Sequence, residues 1–152
     1  MQTYIALLRG INVSGQKMIK MADLKSLLEK QSFSNIQTYL QSGNVVLESN
    51  LEDKHEISSI IQSAINQSYG FDVPTLVLTT TELEMIVHHP PFLQQDELNP
   101  AYFHVTFLGS HPKDIDEEVI SAKRSATEQI SFSPQAIYLY CPDGYGKTKL
   151  HN

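Results

Sequence analysis

The chain has 152 residues, of which 41% are hydrophobic and 18% charged, which suits one globular domain or two small halves and excludes disordered and fibrous classes. The formal net charge of −6 argues against a chain that binds nucleic acid along its whole surface, because such domains are usually basic. The single cysteine, Cys141, excludes an internal disulfide and a cysteine-based zinc site.

Strand and helix patterns alternate in the first half of the chain. Apolar runs rich in β-branched residues predict strands, and apolar residues at i, i+3, i+4 and i+7 predict helices. In chain order these are a strand at 3–8, a helix around 21–28, strands at 36–40 and 45–47, a helix at 57–65 and a strand at 73–78. The order β-α-β-β-α-β predicts an α+β ferredoxin-like half over residues 1–79, with an antiparallel sheet and both helices on one face.

The second half repeats part of this order after a connecting helix and loop at 80–100. A capping-box pattern at Thr81–Glu84 predicts the start of the connecting helix, which the prolines after His88 would end. The patterns that follow predict a strand at 102–108, a helix at 114–126 and a hairpin of 129–132 with 136–141. We interpret residues 101–152 as a second, incomplete ferredoxin-like half (β-α-β-β), whose partly uncovered sheet favours a homodimer.

Two polar, glycine-punctuated turns follow strands in the first half, at 9–15 and 41–44. Residues 1–31 hold five basic and two acidic side chains, a local charge of +3, while the other six basic and fifteen acidic side chains give −9. A ferredoxin-like half would place both turns at the same end of the sheet, where arginine and backbone N–H groups suit a phosphate or carboxylate. We therefore predict a site for a phosphate-bearing ligand formed by Arg9, Asn12, Ser14, Lys17, Lys20, Ser42 and Asn44.

Other interpretations of these turns stay open. The glycines would also serve the turns alone, with the asparagine side chains tying the loops together. By analogy of fold with the small acylphosphatases, Arg9 would hold a phosphoryl group and Asn44 would position a water. RNA binding through the basic first loop and a protein–protein role are further alternatives, although base stacking on the sheet is not expected because the strand at 45–47 lacks an aromatic residue.

Two further motifs carry little chemistry. Asp143–Thr148 ends in Gly-Lys-Thr like a phosphate loop, but Pro142 removes an amide donor and the first glycine of the motif is missing, so an ordinary turn is expected. His88 and His89 are adjacent and have no partner at metal-ligand spacing, so we expect neither a metal site nor a cofactor.

Three stretches closely resemble a bacterial family, that of domain of unknown function 1697: Tyr4–Val13, Met21–Leu24 and Thr38–Val46. Weaker similarity continues through residues 91–92, 104–108 and 137–146. The resemblance implies duplicated ferredoxin-like halves in a cytoplasmic protein and implies no particular activity. Members usually continue into a final helix and a Thr-x-Arg-Asn-Trp-Asn-Thr-like segment, so we expect this chain, which ends at Asn152 and has no tryptophan, to lack that segment.

The sequence also predicts where the protein is found. It has no run of about 18 apolar residues of the kind that spans a bilayer, and its first residues lack the basic and then apolar pattern of a signal peptide. We expect a cytoplasmic protein with no membrane partner.

Overall fold

A computed structural model describes residues 1–88, 91, 98–109 and 115–150. It is a mixed α+β structure with two antiparallel sheets and four helices among these residues. The contacts divide the chain into two compact units, unit 1 at Met1–Leu83 and unit 2 at Glu84–Asn152.

Unit 1 follows the predicted order of strands and helices. Its elements are β1 (Gln2–Leu8), α1 (Met21–Glu29), β2 (Ser34–Tyr39), β3 (Asn44–Ser49), α2 (Lys54–Tyr69) and β4 (Thr75–Thr79), after which α3 (Thr80–His88) runs into unit 2. The strands form an antiparallel sheet in the order β2-β3-β1-β4. Consecutive β1 and β2 are therefore separated by β3, and β1 is central.

One hydrophobic core holds the sheet of unit 1 to its two helices. Alternate residues of β1 and β3 point to the same face of the sheet, and on this face Tyr4 and Leu47 are fully buried. The apolar stripe predicted for the second helix packs onto them through Ile57, Ile61 and Ile65, which are also fully buried. The predicted spacing of both helices is confirmed.

The ends of α2 have the signals that stop and start helices. The Asp53 carboxylate accepts a hydrogen bond from the His55 backbone N–H at 2.8 Å, which satisfies one of the free donors of the first turn. Gly70 ends the helix in the left-handed region with φ of 77°, a conformation that favours glycine. The observed helix extends the predicted one at 57–65 by three residues at its start and four at its end.

The capping box of α3 is displaced by two residues from its predicted position at Thr81–Glu84. Thr79 and Glu82 form it: the Glu82 N–H donates to Thr79 Oγ1 at 3.2 Å, and the Thr79 N–H donates to Glu82 Oε2 at 2.9 Å. The helix begins directly at the end of β4, so the last strand residue also serves as the cap.

Unit 2 contains a second antiparallel sheet, in the order β5-β7-β6. Its elements are β5 (Phe103–Phe107), α4 (Glu117–Ser121), β6 (Gln129–Phe132) and β7 (Ala136–Tyr140). Ile86 of α3, Tyr138 and Tyr140 are buried in its core, and the Tyr138 hydroxyl donates to the Ile86 carbonyl. The predicted hairpin of the last two strands is confirmed.

The predicted helix at 114–126 is wrong in its length, since α4 covers only Glu117–Ser121. Asp116 caps it by accepting from the Val119 N–H at 3.0 Å. After Ile120 the chain offers only alanine as an apolar side chain until Ile130, so a longer helix would have no face to bury. The Glu128 carboxylate instead accepts from the Ser125 N–H and holds a turn. Residue 114 lies outside the described residues.

None of the helices among the described residues has the length and apolar character needed to cross a membrane.

Candidate functional site

Three loops of unit 1 meet at one end of its sheet, at 9–20, 40–43 and 70–74. The Leu8 N–H donates to the Gly43 carbonyl at 2.9 Å, which joins the end of β1 to the turn between β2 and β3. The Arg9 N–H donates to the Pro74 carbonyl at 2.9 Å, which joins it to the loop before β4. We call these three loops together the loop end; they contain six of the seven predicted site residues, and Asn44 directly follows the turn at 40–43.

Residues 12–17 form a small hairpin within the first loop. The Asn12 N–H donates to the Lys17 carbonyl at 3.2 Å, and the Gln16 N–H donates to the Val13 carbonyl at 2.9 Å. The two residues at the tip, Ser14 and Gly15, have φ of 50° and 75°. Positive φ at both central residues is the mark of a type I′ turn, which matches the twist of a hairpin. The loop is thus an ordered structure, and Ser14 lies exposed at its tip.

Asn12 fixes this hairpin to the rest of the loop end. Its Nδ2 donates to the Ile19 carbonyl at 2.9 Å and to the Gln41 carbonyl at 2.7 Å, and its Oδ1 accepts from the Ile19 N–H at 2.8 Å. Both amide hydrogens are therefore used inside the protein. Asn12 thus links the first loop to the turn at 40–43, the role that the alternative interpretation of these turns predicts, and its part in an anion site stays a prediction.

Gly43 packs closely against side chains of the first loop and of β1. Its φ is 85°, and a Cβ there would lie 2.6 Å from Ile11 Cδ1 and 2.9 Å from Leu8 Cβ. Only glycine lets the backbone approach these buried side chains so closely. Asn44, next in the chain, donates from Nδ2 to the Tyr39 carbonyl and to Ser42 Oγ, each at 3.0 Å.

The basic side chains of the loop end form fewer hydrogen bonds within the described residues than the asparagines do. Arg9 is exposed, and no described residue pairs with its guanidinium group. Lys20 is exposed at the residue that precedes α1. Lys17 Nζ donates to the Asp72 carbonyl at 2.6 Å and lies 6.0 Å from the ring centroid of Phe71. The Asp72 carboxylate accepts from Asn66 Nδ2 at 2.8 Å.

The loop end consequently keeps its positive charge. Residues 9–20 contain three basic and no acidic side chains, and Asp72 is the one acidic residue of the other two loops, so the loop end has a net charge of +2. Lys17 donates to the neutral backbone carbonyl of Asp72. The single salt bridge among the described residues, between Lys54 and Glu82, joins the start of α2 to α3. Both of these elements begin at the end of the sheet opposite to the loop end, because β3 and β4 run in the same direction from it.

The family model described as "Protein of unknown function (DUF1697)" matches residues 1–138. The chain belongs to the DUF1697 family. A solved structure with the same fold is "The structure of conserved bacterial protein SP0830 from Streptococcus pneumoniae", with 23% sequence identity and a TM-score of 0.73. The match covers 99% of this chain and 84% of that chain, and at this identity it shows the fold alone. No curated protein matches the chain.

This DUF1697 member also exposes four large apolar side chains at the loop end, which the sequence did not single out. Val13, Met18, Tyr39 and Leu40 are 59%, 60%, 69% and 61% exposed. Tyr39 and Leu40 end a predicted strand, and Val13 and Met18 lie in the first loop, so the sequence pattern predicts no surface that the four residues share. Only Val13 stands directly beside a turn asparagine, so no shared sequence signal marks the four residues.

The motifs of unit 2 form ordinary local structure. Tyr145–Lys147 is a single 3-10 turn, as predicted for the segment that resembles part of a phosphate loop. The Tyr145 ring stacks on His104 with centroids 4.5 Å apart. Burial and then the charge of Glu128 raise the pKa of the Cys141 thiol, although a hydrogen bond with Thr148 acts in the other direction. This cysteine is buried and poorly suited to act as a nucleophile.

Proposed function

We propose that the chain is a binding module for a phosphate-bearing small molecule or nucleotide, held at the loop end, and that it acts by binding rather than by turnover. The observation that carries this proposal is the exposed guanidinium group of Arg9, which has no partner among the described residues. Arg9 directly follows β1, and its backbone N–H is bonded to the loop before β4. Arginine presents a planar fork of donors that matches phosphate oxygens.

The lysines of the first loop extend the same site. Lys17 is held by the Asp72 carbonyl, and an ammonium group has two further hydrogens for a ligand oxygen. Lys20 adds a third positive charge to a loop that has no acidic residue. Because the rest of the chain carries −9, an anion is attracted to this end and repelled from the remaining surface.

The proposal gives different roles to the seven predicted residues. Arg9, Lys17 and Lys20 bind the anion, and Ser14 lies at the exposed tip beside them. Asn12, Ser42 and Asn44 hold the loops in place through the bonds described above. An acylphosphatase-like reaction would require Asn44 to orient a water, and both hydrogens of its amide are already bonded to Tyr39 and Ser42. We therefore favour binding over hydrolysis.

We also propose that the fold consists of ferredoxin-like halves, the second incomplete, in a cytoplasmic protein. In unit 1 the antiparallel strand order β2-β3-β1-β4 supports this arrangement, together with the packing of α1 and α2 into one core. In unit 2 the support is the order of β5, α4, β6 and β7 along the chain.

The test is a thermal-unfolding titration with inorganic phosphate, nucleoside monophosphates and nucleoside diphosphates on wild type, Arg9→Ala and Lys30→Ala. A ligand at a hundred times its dissociation constant stabilises the folded state by about 2.7 kcal/mol. We expect one of these ligands to raise the midpoint in wild type and in Lys30→Ala, whose exposed side chain follows the other end of α1. Arg9→Ala should lose most of the rise. An equal rise in Arg9→Ala, or none in any of the proteins, contradicts the proposal.

A further inference from the structure

We propose that the phosphates bound at the loop end belong to a short single-stranded nucleic acid, whose bases lie on the exposed apolar side chains of the same end. This inference rests on the proposed function and adds the class of ligand. It starts from the apolar patch, which we define as Val13, Met18, Tyr39 and Leu40. A site for a free phosphate group needs no such surface.

The patch and the cations occupy the same end of one sheet. Arg9 follows β1 and Tyr39 ends β2, and only β3 lies between these two strands. Two strand spacings amount to about 10 Å. The bond from Asn12 to the Gln41 carbonyl also joins the loop of Val13 and Met18 to the turn that follows Leu40. Phosphates at the cations and bases at the patch are therefore within reach of one short strand.

Tyr39 is the best base-stacking group of the patch. Tyr39 as a residue is 69% exposed, while its backbone pairs with Asn44 and its carbonyl accepts from Asn44 Nδ2. An exposed ring on a fixed backbone loses little conformational entropy when a base covers it. Bases stack on aromatic rings and on guanidinium planes whatever their sequence, so Tyr39 and Arg9 are suited to the same ligand.

Charge determines which kind of nucleic acid fits. The loop end carries three cations and one carboxylate, that of Asp72, and the residues outside 1–31, Asp72 included, carry −9. A long duplex would bring many phosphates close to this acidic surface, whereas a short single strand limits its phosphates to the loop end. An acidic peptide would also satisfy the cations, but it does not offer the flat faces that Tyr39 and Arg9 match. We therefore favour the single strand.

Fluorescence anisotropy with labelled oligouridylate and oligodeoxythymidylate of about ten nucleotides tests the inference. We expect Tyr39→Ala to weaken binding by roughly 5- to 150-fold, the loss typical of one stacked base. Tyr39→Phe keeps the ring and should bind like wild type. Tyr102→Ala, which removes an exposed tyrosine of unit 2, is the matched control and should also bind like wild type.

Salt dependence gives a second, independent readout. Three cations on a single strand predict a slope of log K against log salt of about −2, and Arg9→Ala should reduce it to about −1.4. A slope near zero contradicts the inference. So does equal binding by Tyr39→Ala and wild type.

The failure of the inference and the failure of the proposed function look different. If phosphate or a mononucleotide stabilises the chain through Arg9 but an oligonucleotide binds no more tightly than a mononucleotide, the proposed function stands and the inference is wrong. If neither ligand binds, both are wrong. If an oligoglutamate competes as well as oligouridylate, a protein partner replaces the nucleic acid and the inference is wrong.

Discussion

The turn between β2 and β3 and the small hairpin at 12–17 lie at the same end of unit 1 and differ in what they pack against. Both are polar and both contain a glycine with positive φ, 85° at Gly43 and 75° at Gly15. Gly43 is buried over Ile11, whereas nothing lies within 4 Å of a Cβ at Gly15. The first turn anchors the loop end to the core, and the second presents side chains to solvent. The same sequence signal thus has two different structural roles.

The largest expected effect is the difference between alanine substitutions at the two glycines. Gly43→Ala should lower the free energy of unfolding of unit 1 by about 3 kcal/mol, because backbone strain adds to overpacking against Ile11 and Leu8. Gly15→Ala has a similar φ and open space, so it should lose only about 1 kcal/mol. Urea unfolding followed by circular dichroism measures both. Equal losses would show that the two turns do not differ in packing.

A smaller effect is expected from the asparagines that hold the two turns. Asn12→Ala removes three hydrogen bonds and should lower the free energy of unfolding by about 2 kcal/mol. The backbone N–H and the carbonyl of Ile19 each lose their bond to the Asn12 side chain. Asn44→Ala, which removes two exposed bonds, should cost less than about 1 kcal/mol.

Hydrogen exchange separates the role of Asn12 from a general loss of stability. In Asn12→Ala the exchange rate of the Ile19 amide should rise above its wild-type value by more than the rates of the core amides of β1 do. Unchanged protection of Ile19 would mean that the first loop is held by other contacts.

The smallest effect concerns pH and the opposite end of the sheet. Burial alone would raise the pKa of the Glu82 carboxyl, but hydrogen bonds from Lys54 and Thr79, with the charge of Lys54, lower it below its ordinary value. A lowered pKa means that the folded state holds its proton less tightly than the unfolded chain. This contribution is complete above the ordinary glutamate pKa of about 4.3 and is lost as the pH falls through the lower, folded value.

Glu82→Gln should therefore reduce stability at pH 7 and flatten its dependence on pH between about 5 and 3. Glu84→Gln, an exposed change in the same helix, is the control and should leave the curve as in wild type. Phosphate binding at the loop end of the folded Glu82→Gln protein at pH 7 should match wild type, because the two ends share no ion pair among the described residues. A wild-type curve as flat as that of Glu82→Gln would contradict the assigned ion pair.

Periodicity predicted the parts of the fold that bury a continuous face. The isoleucines of α2 recur at helical spacing and pack in or against the core, so the helix is predicted correctly in type and position, although it extends three residues before and four residues after the predicted 57–65. The helix at α4 was predicted too long because polar residues such as Lys123 and Arg124 are compatible with a helix without requiring one. The cap of α3 was placed at Thr81 since the same pattern occurs twice, and only the geometry at the end of β4 selects Thr79.

The candidate site was predictable in its position and less so in its roles. Arg9 and Lys20 are exposed as expected of ligand-binding cations. Asn12 and Asn44 have the same donors as a ligand-binding amide, and only three-dimensional contacts reveal that these donors are already bonded to backbone carbonyls and to the Ser42 hydroxyl. The exposure of Tyr39 depends on where β2 ends, a boundary that a pattern of alternating residues does not fix.

The small hairpin at 12–17 is closed by its own hydrogen bonds, which determines how well this part of the chain tolerates insertions. Its turn closes through Asn12 to Lys17 and Val13 to Gln16, so Ser14 and Gly15 carry no contact on which the core depends. Insertions at this tip would lengthen the hairpin and leave its base in register. Changes at this tip thus carry little risk to folding, and a peptide tag inserted between these two residues is a direct way to use that tolerance.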